Sequence, residues 1–329
     1  MKKYFFVGVC GFLAAVLVLG GCSGKRKGLV VGVSKIVSHP ALDAVERGLA
    51  DELEAAGLNA TFDWQNANGD VNTAAQIASR FKDEGVALAV GVGTPVAVAL
   101  ATVIADAPVV FTAVTDPVAA GLVDKLEGGK GNVTGMSDAI PVASQIKLFK
   151  DVAALKTLGY VYTSNEANSI SALADVRSAC EALGIELVAQ SISSSSEVRQ
   201  AAEAIAGRVD GVYVTTDNTV YSALPSLIEV CRRLKTPFFS ADVTSCMDGG
   251  AMIAQGFSYY KAGRATGAMV VEILGGKRPE DIPVRFLTEP NEFDLLFDLD
   301  EAANCGIAIP PDILRQANYI FQNGALAER

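Results

Sequence analysis

Histidine is nearly absent: His39 is the only one in 329 residues. It cannot build a zinc site with Cys180, Cys231, Cys246 and Cys305, which show neither CxxC nor Cys/His spacing. No metal and no cofactor is therefore expected. These four cysteines read as buried small hydrophobes, with one disulfide left open in an oxidising envelope. Catalytic and phosphate signatures are missing as well, since there is no G-x-S-x-G elbow, no Walker loop and no G-x-G-x-x-G. No catalytic residue is assigned. Basic side chains are in short supply, 27 Lys and Arg against 37 Asp and Glu, for a net charge of −10. Such a surface lacks the basic footprint that phosphate backbones require, so nucleic acid is not an expected partner.

The N-terminus opens on an apolar run. Lys2 and Lys3 precede an apolar stretch from Tyr4 to Leu19, followed by Gly20, Gly21 and Cys22. A basic start, a short apolar core and small residues before a cut site describe a secretory signal. The stretch is shorter than the roughly 20 residues that a spanning helix needs. Leu19-Gly20-Gly21-Cys22 resembles a bacterial lipobox, in which cleavage precedes the cysteine and its thiol carries the lipid. Residues 1–21 are then a signal peptide, and residues 22–28 a lipidated tether whose basic residues can rest against anionic headgroups. Cleavage would leave 25 basic and 37 acidic residues, a net charge of −12.

What remains alternates between short β-rich runs and helical periodicity. "GLVVGVSKI" (28–36) precedes a helical stretch at 41–57. "NATFDWQNA" (59–67) and a helix at 70–85 follow, then "ALAVGVG" (87–93), a helix at 94–105 and "PVVFTAV" (108–114). The rhythm restarts with "TLGYVYT" (157–163), a helix at 169–184, "IELVAQSI" (185–192) and a helix at 196–208. "GVYVTT" (211–216), a helix at 222–234 and "TPFFSAD" (236–242) complete it. Strands alternating with helices of this length predict two α/β lobes, each a doubly wound parallel sheet. Residues 134–150 show no strong strand and are expected to carry a crossover. A long amphipathic helix is predicted over 259–279, and a strand running into a helix over 291–306.

Several strands run straight into hydrogen-bonding residues. In the first half these are Thr94-Pro95, "TAVTDP" with Asp116, and Ser137-Asp138. In the second half they are "TSNEANS" with Ser164, Asn165 and Asn168, then Thr216-Asp217-Asn218, and "SADVTS" with Asp242. Each loop taken alone reads as helix capping. Six at the carboxyl edge of two parallel sheets predict a ligand cleft, because ligands of open α/β sheets sit there. Helix N-termini suit a carboxylate, whereas Asp116, Asp138, Asp217 and Asp242 suit an ammonium or hydroxyls, so the set fits a zwitterion such as an amino acid. Asp217 or Asp242 is expected to meet the ammonium, and groups around Thr94 and Thr216 the carboxylate. His39, followed by Pro40 just after the first strand, reads as a capping or packing residue at the edge of this cleft.

"HPALDAVERGL", "NANGD", "TPVAVAL", "PVVFTAVTDPVAAGLV", "NVTGMSD", "YTSNEANS", "TTDNTVYSALPSL" and "GFSYYKAG" are similar to the tryptophan/tyrosine transport substrate-binding proteins of ABC importers, across nearly all of residues 30–290. The resemblance implies the type I periplasmic-binding fold with a multi-strand hinge of three crossings. Lobe one would comprise 29–140 plus 259–285, and lobe two 141–258 plus 286–329. It implies a small-molecule ligand, an amino acid and within that class an aromatic one, and delivery to an ABC permease from a protein lipid-anchored through Cys22 in the cell envelope, facing the periplasm or exterior. It also implies a flat aromatic wall, for which Phe111, Tyr162, Tyr213, Tyr221, Phe257, Tyr259 and Tyr260 are candidates, Tyr162 and Tyr259 foremost. Lys35 stands where the family usually has glutamine, and would alter ligand preference if it faced the cleft. A ligand-sensing receptor component is the alternative within the binding class, and an envelope hydrolase using the same cleft is the alternative outside it.

Overall fold

A computed structural model describes residues 28–287 and 292–329. The signal-like segment and Cys22 lie outside the described residues. The first lobe is built from β1 (Leu29–Lys35), α1 (Pro40–Ala55), β2 (Ala60–Asn66), α2 (Val71–Glu84), β3 (Leu88–Val92), α3 (Thr94–Val103), β4 (Val109–Val114) and β5 (Val133–Ser137). Local chemistry sets these boundaries. Asp70 caps α2 by accepting from Thr73 N at 2.6 Å, and Gly85 ends it in the left-handed conformation at φ 66°. The strands pair in parallel in the order β2-β1-β3-β4-β5. Buried on both faces, β3 and β4 are apolar nearly throughout (LAVGV and VVFTAV), as central strands of a doubly wound sheet must be.

The second lobe contains α4 (Val142–Ala153), β6 (Thr157–Thr163), α5 (Ala167–Leu183), β7 (Glu186–Ile192), α6 (Val198–Ile205), β8 (Gly211–Val214), α7 (Asn218–Ser222), α8 (Leu224–Leu234), β9 (Phe238–Ser240) and β10 (Ile253–Phe257). The chain then returns to the first lobe as α9 (Tyr259–Leu274), and it still packs in the first core at Leu287. It finishes in the second lobe with β11 (Phe293–Asp298), α10 (Leu299–Asn304), α11 (Pro311–Leu314), β12 (Tyr319–Gln322) and β13 (Ala325–Glu328). The second sheet has eight strands in the order β13-β12-β11-β10-β9-β8-β6-β7. The chain therefore passes between lobes after β5, after β10 and again before β11.

α9 is held on α1 by backbone contact. A Cβ on Gly263 would lie 2.1 Å from the Val45 carbonyl oxygen, and one on Gly48 2.1 Å from that of Tyr260. Only glycine permits so close an approach, and it brings Tyr259 to the lobe junction.

Three features depart from the sequence expectations. The second sheet is mixed rather than parallel, because β11 runs antiparallel to β10, and β13 to β12. The stretch expected to lack a strong strand contains β5, whose VTGMS carries only two β-branched residues. β10, IAQGF, was not anticipated either, since its glycine and glutamine break the apolar run.

Candidate functional site

The strand orders explain why strand ends are polar. In each lobe the order reverses between the first and third strands, β1 and β3 in one, β6 and β8 in the other. A crevice forms at each reversal, beyond the carboxyl ends of the strands. The two crevices face one another. Thr115 Oγ1 of the first lobe lies 2.7 Å from Thr216 Oγ1 of the second. Ser171 Oγ donates to Asp116 Oδ2 at 3.2 Å, and the His39 ring stacks on Tyr221 at 5.7 Å between centroids.

Three spaces lie along this junction. A central cavity of about 10 Å³ is lined by His39, Ala41, Leu42, Asp138, Thr216, Asp217, Asn218, Tyr221, Asp242 and Tyr259. That is room for about one water-sized group. On the α3 side a cavity of about 160 Å³ is walled by Ile36, Val37, Val71 and Pro95 from one lobe and by Asn165, Glu166, Ser193–Ser195 and Thr219 from the other. On the opposite side, Thr115–Val118, Leu126, Ile140, Ser171, Asp175 and Phe286 line a cavity of about 230 Å³. None of the residues lining these three spaces is a lysine or arginine.

The aspartates at the strand ends are not equivalent. Asp217 Oδ1 accepts from Thr163 Oγ1 (2.7 Å) and Val220 N (3.0 Å), and its Oδ2 from Thr163 N (2.7 Å) and Ser169 Oγ (2.6 Å). All four acceptor positions are filled from its own lobe. Asp217 thus caps α7 and ties β6 to α5, while burial and the neighbouring Glu166 carboxylate push its pKa up. Asp138 accepts one bond on each oxygen, from Thr115 Oγ1 at 2.9 Å and from Tyr259 Oη at 3.0 Å. Burial, with the Asp242 charge in support, raises its pKa to about 6, against these two hydrogen bonds. Asp242 accepts one bond on each oxygen, from Thr244 N (2.8 Å) and Ser245 N (3.0 Å), and burial raises its pKa too. Asp138 and Asp242 therefore keep free acceptor positions beside the central cavity. Asp116 caps Val118 N and Ala119 N and takes the bond from Ser171.

At the first lobe's crevice, Gly93 is the residue that caps α3, and Thr94 and Pro95 are its first helical residues. Thr94 is therefore not an N-cap. Its hydroxyl is buried without a partner, as is that of Ser34 at the end of β1. Gly93 has φ 94°, and a Cβ there would lie 2.7 Å from the Ile36 side chain, so the close turn into α3 requires glycine. β4 ends irregularly, with Ala113 at φ 53° and a register shift between Phe111 and Val114, which aims Thr115 towards the junction.

The remaining predicted residues divide. Asn165 lines the α3-side cavity. Asn168 is buried, donating to Glu166 Oε2 and to the Thr216 carbonyl, with its own Oδ1 unpartnered. Asn218 lines the centre and donates to Glu166. Ser164 donates to the Ile192 carbonyl and Ser137 to the Thr115 carbonyl, so both serve the backbone. Tyr162 stacks on Tyr160 at 6.1 Å and packs against a core of the second lobe, outside the three cavities. Of the aromatic candidates, Tyr221 and Tyr259 line the centre, Phe111 and Tyr213 are core, and Tyr260 bonds Asp51 on the surface. Lys35 does not face the cleft. It pairs with Asp43 at 2.7 Å and Glu46 at 2.6 Å on the outward side of α1.

His39 was expected as a capping or packing residue. It precedes α1 but makes no side-chain cap, and neither ring nitrogen has a hydrogen-bond partner. Burial lowers its pKa to about 4, opposed by nearby Asn218, so the ring is neutral. Thr115, Glu166 and Ser34 were not singled out in the sequence. Their positions, Thr115 directly after β4, Glu166 in the loop after β6 and Ser34 at the end of β1, were the available signal.

Two α/β lobes enclosing a polar cleft between the carboxyl ends of their strands have the type I periplasmic-binding fold. Residues 30–320 match the family described as ABC transporter substrate binding protein, and the chain belongs to that family. It is similar to a tyrosine-binding protein of Clostridioides difficile, 34% identical over 307 residues covering 88% of each chain. A Streptococcus pneumoniae ABC domain solved in complex with L-Trp is 30% identical with a TM-score of 0.85, covering 89% of this chain and all of that one. A ligand-free, open substrate-binding protein with adhesive properties from Clostridium difficile is 34% identical with a TM-score of 0.65, covering 89% of this chain and 99% of that one. Such proteins are extracytoplasmic and bind solutes for ABC transport without catalysing a reaction. Among the described residues, no helix is long and apolar enough to cross a membrane.

Proposed function

We propose that this protein captures an aromatic amino acid between its lobes and hands it to an ABC permease, held at the membrane by a lipid on Cys22. The observation that carries the ligand class is the pair Asp138 and Asp242, two buried carboxylates with acceptor positions to spare and no basic side chain beside them. An anion would meet uncompensated charge there, whereas an ammonium offsets it. The ammonium occupies the central cavity. The carboxylate meets the start of α3, where free N–H groups and the buried Thr94 hydroxyl converge. The side chain extends into the 160 Å³ cavity against Ile36, Val37 and Pro95, a volume of the order that holds a single benzene-sized ring. Resemblance to the L-Trp complex exceeds resemblance to the open, ligand-free relative, although the latter is closer in sequence. That contrast supports a closed, ligand-holding arrangement of the lobes.

A thermal-shift screen of the soluble protein against the twenty amino acids tests the reading. Tyrosine or tryptophan at 100 times its dissociation constant should stabilise by about 2.7 kcal/mol. Stabilisation by anionic solutes alone would reject it.

A further inference from the structure

The central cavity is closed on one side by two hydroxyls from opposite lobes. Thr115 donates its proton to Asp138 Oδ1 at 2.9 Å. Its oxygen is then free to accept, so across the 2.7 Å gap Thr216 is the donor. Asp138 is held from its other side by Tyr259 Oη at 3.0 Å. Tyr259 opens α9 just after one lobe crossing, and Asp138 precedes another. A continuous run of hydrogen bonds thus leads from the crossings, through Asp138, to the far lobe. Thr216 lines both the central cavity and the cavity of about 230 Å³ beyond it.

We propose that Thr115 and Thr216 form an interlobe latch, and that Asp138 couples it to the ligand by holding Thr115 in its accepting orientation. This inference rests on the cleft being the ligand site. Both hydrogen bonds to Asp138 come from its own lobe, so the Thr216–Thr115 contact is the step in the run that exists only when the lobes are closed. A contact made only in the closed form raises affinity by populating that form. It slows ligand release and leaves the encounter unchanged. Thr115 and Thr216 are positioning residues, acting through the closure rather than on the ligand.

The test is a double-mutant cycle on the whole soluble protein, with L-tyrosine and L-tryptophan as probes. Thr115→Val and Thr216→Val each remove one hydroxyl while keeping the side-chain shape. Each should raise Kd about 5- to 10-fold through faster dissociation, the effect of one hydrogen bond. The double variant should be no weaker than the weaker single one. Thr216→Ser, which keeps the hydroxyl, should stay within about twofold of the parent. Valine variants that bind as the parent does would overturn the latch, as would fully additive losses, which mark two independent ligand contacts. If the parent binds neither amino acid, the ligand proposal fails separately. The latch is then read from the ligand-free proteins by small-angle scattering, where the valine variants must be more expanded than the parent and equal radii overturn it.

Discussion

A carboxylate offers about four acceptor positions, and the number already filled separates the buried aspartates of the cleft. Asp217 has none left, so its removal strands the Thr163, Ser169 and Val220 donors. Asp217→Ala should lower stability by about 3 kcal/mol, seen as a lower melting temperature. Asp138→Asn and Asp242→Asn should instead weaken amino-acid binding by about 30-fold or more, measured by calorimetry. Parent-like binding in both asparagine variants would remove them from the site. The pH dependence follows from Asp138, whose folded pKa is raised to about 6. Below that value the protonated carboxyl offers no charge to an ammonium. Of the groups facing it, His39 is neutral above about 4, and Asp242 is raised in the same direction. Binding should therefore weaken about tenfold from pH 7 to pH 5, and the fall should be shallower in Asp138→Asn. The sign for stability is opposite. A carboxylate with a raised folded pKa destabilises the fold increasingly as pH rises from 3.8 to about 6. Ligand-free Asp138→Asn should accordingly melt higher than the parent at pH 7. Asp217 and Asp138 look alike in sequence, each a lone aspartate after a strand. Only the count of donors around them, which comes from distant segments, tells a fully bonded cap from a carboxylate with acceptor positions to spare.

Elements place these residues, and their legibility follows how locally each is determined. Strands such as β3 and β4 were readable because burial on both faces demands an unbroken apolar run. β5 and β10 were not, since their glycines and polar residues are tolerated only because neighbouring strands supply the pairing. The antiparallel β11 depends on where the chain returns, which periodicity cannot express. The Thr94 loop, which taken alone reads as a cap, does not cap α3; Gly93 at φ 94° does so, and the threonine hydroxyl is buried without a partner. Lys35 follows the alternation of β1 away from the junction and into the Asp43–Glu46 pair. The α1–α9 seam is the element-scale feature most exposed to a single change. A methyl at Gly263 would meet the Val45 carbonyl oxygen at 2.1 Å, against backbone that cannot yield cheaply. Gly263→Ala should cost about 2 kcal/mol, lowering the melting midpoint by about 4–8 °C in a differential scanning experiment. An unchanged midpoint would mean that α9 slides freely on α1.

At the scale of the whole molecule, two lobes joined by several crossings form one site that neither completes alone. Carboxylates and hydroxyls come from both sides, and closing the cleft excludes water that would otherwise satisfy them. Under the proposed function each charge of the ligand must then meet a partner, which would make the site selective for ligands carrying both signs. On the proposed function, the cleft reads the ammonium and the carboxylate of an aromatic amino acid separately. Calorimetric titration with L-tryptophan, with tryptamine, which lacks the carboxylate, and with indole-3-propionate, which lacks the ammonium, tests it directly. On this reading L-tryptophan binds and both analogues bind at least about 30-fold more weakly, indole-3-propionate the weakest because it brings an anion towards Asp138 and Asp242. Equal or tighter binding of indole-3-propionate would contradict it.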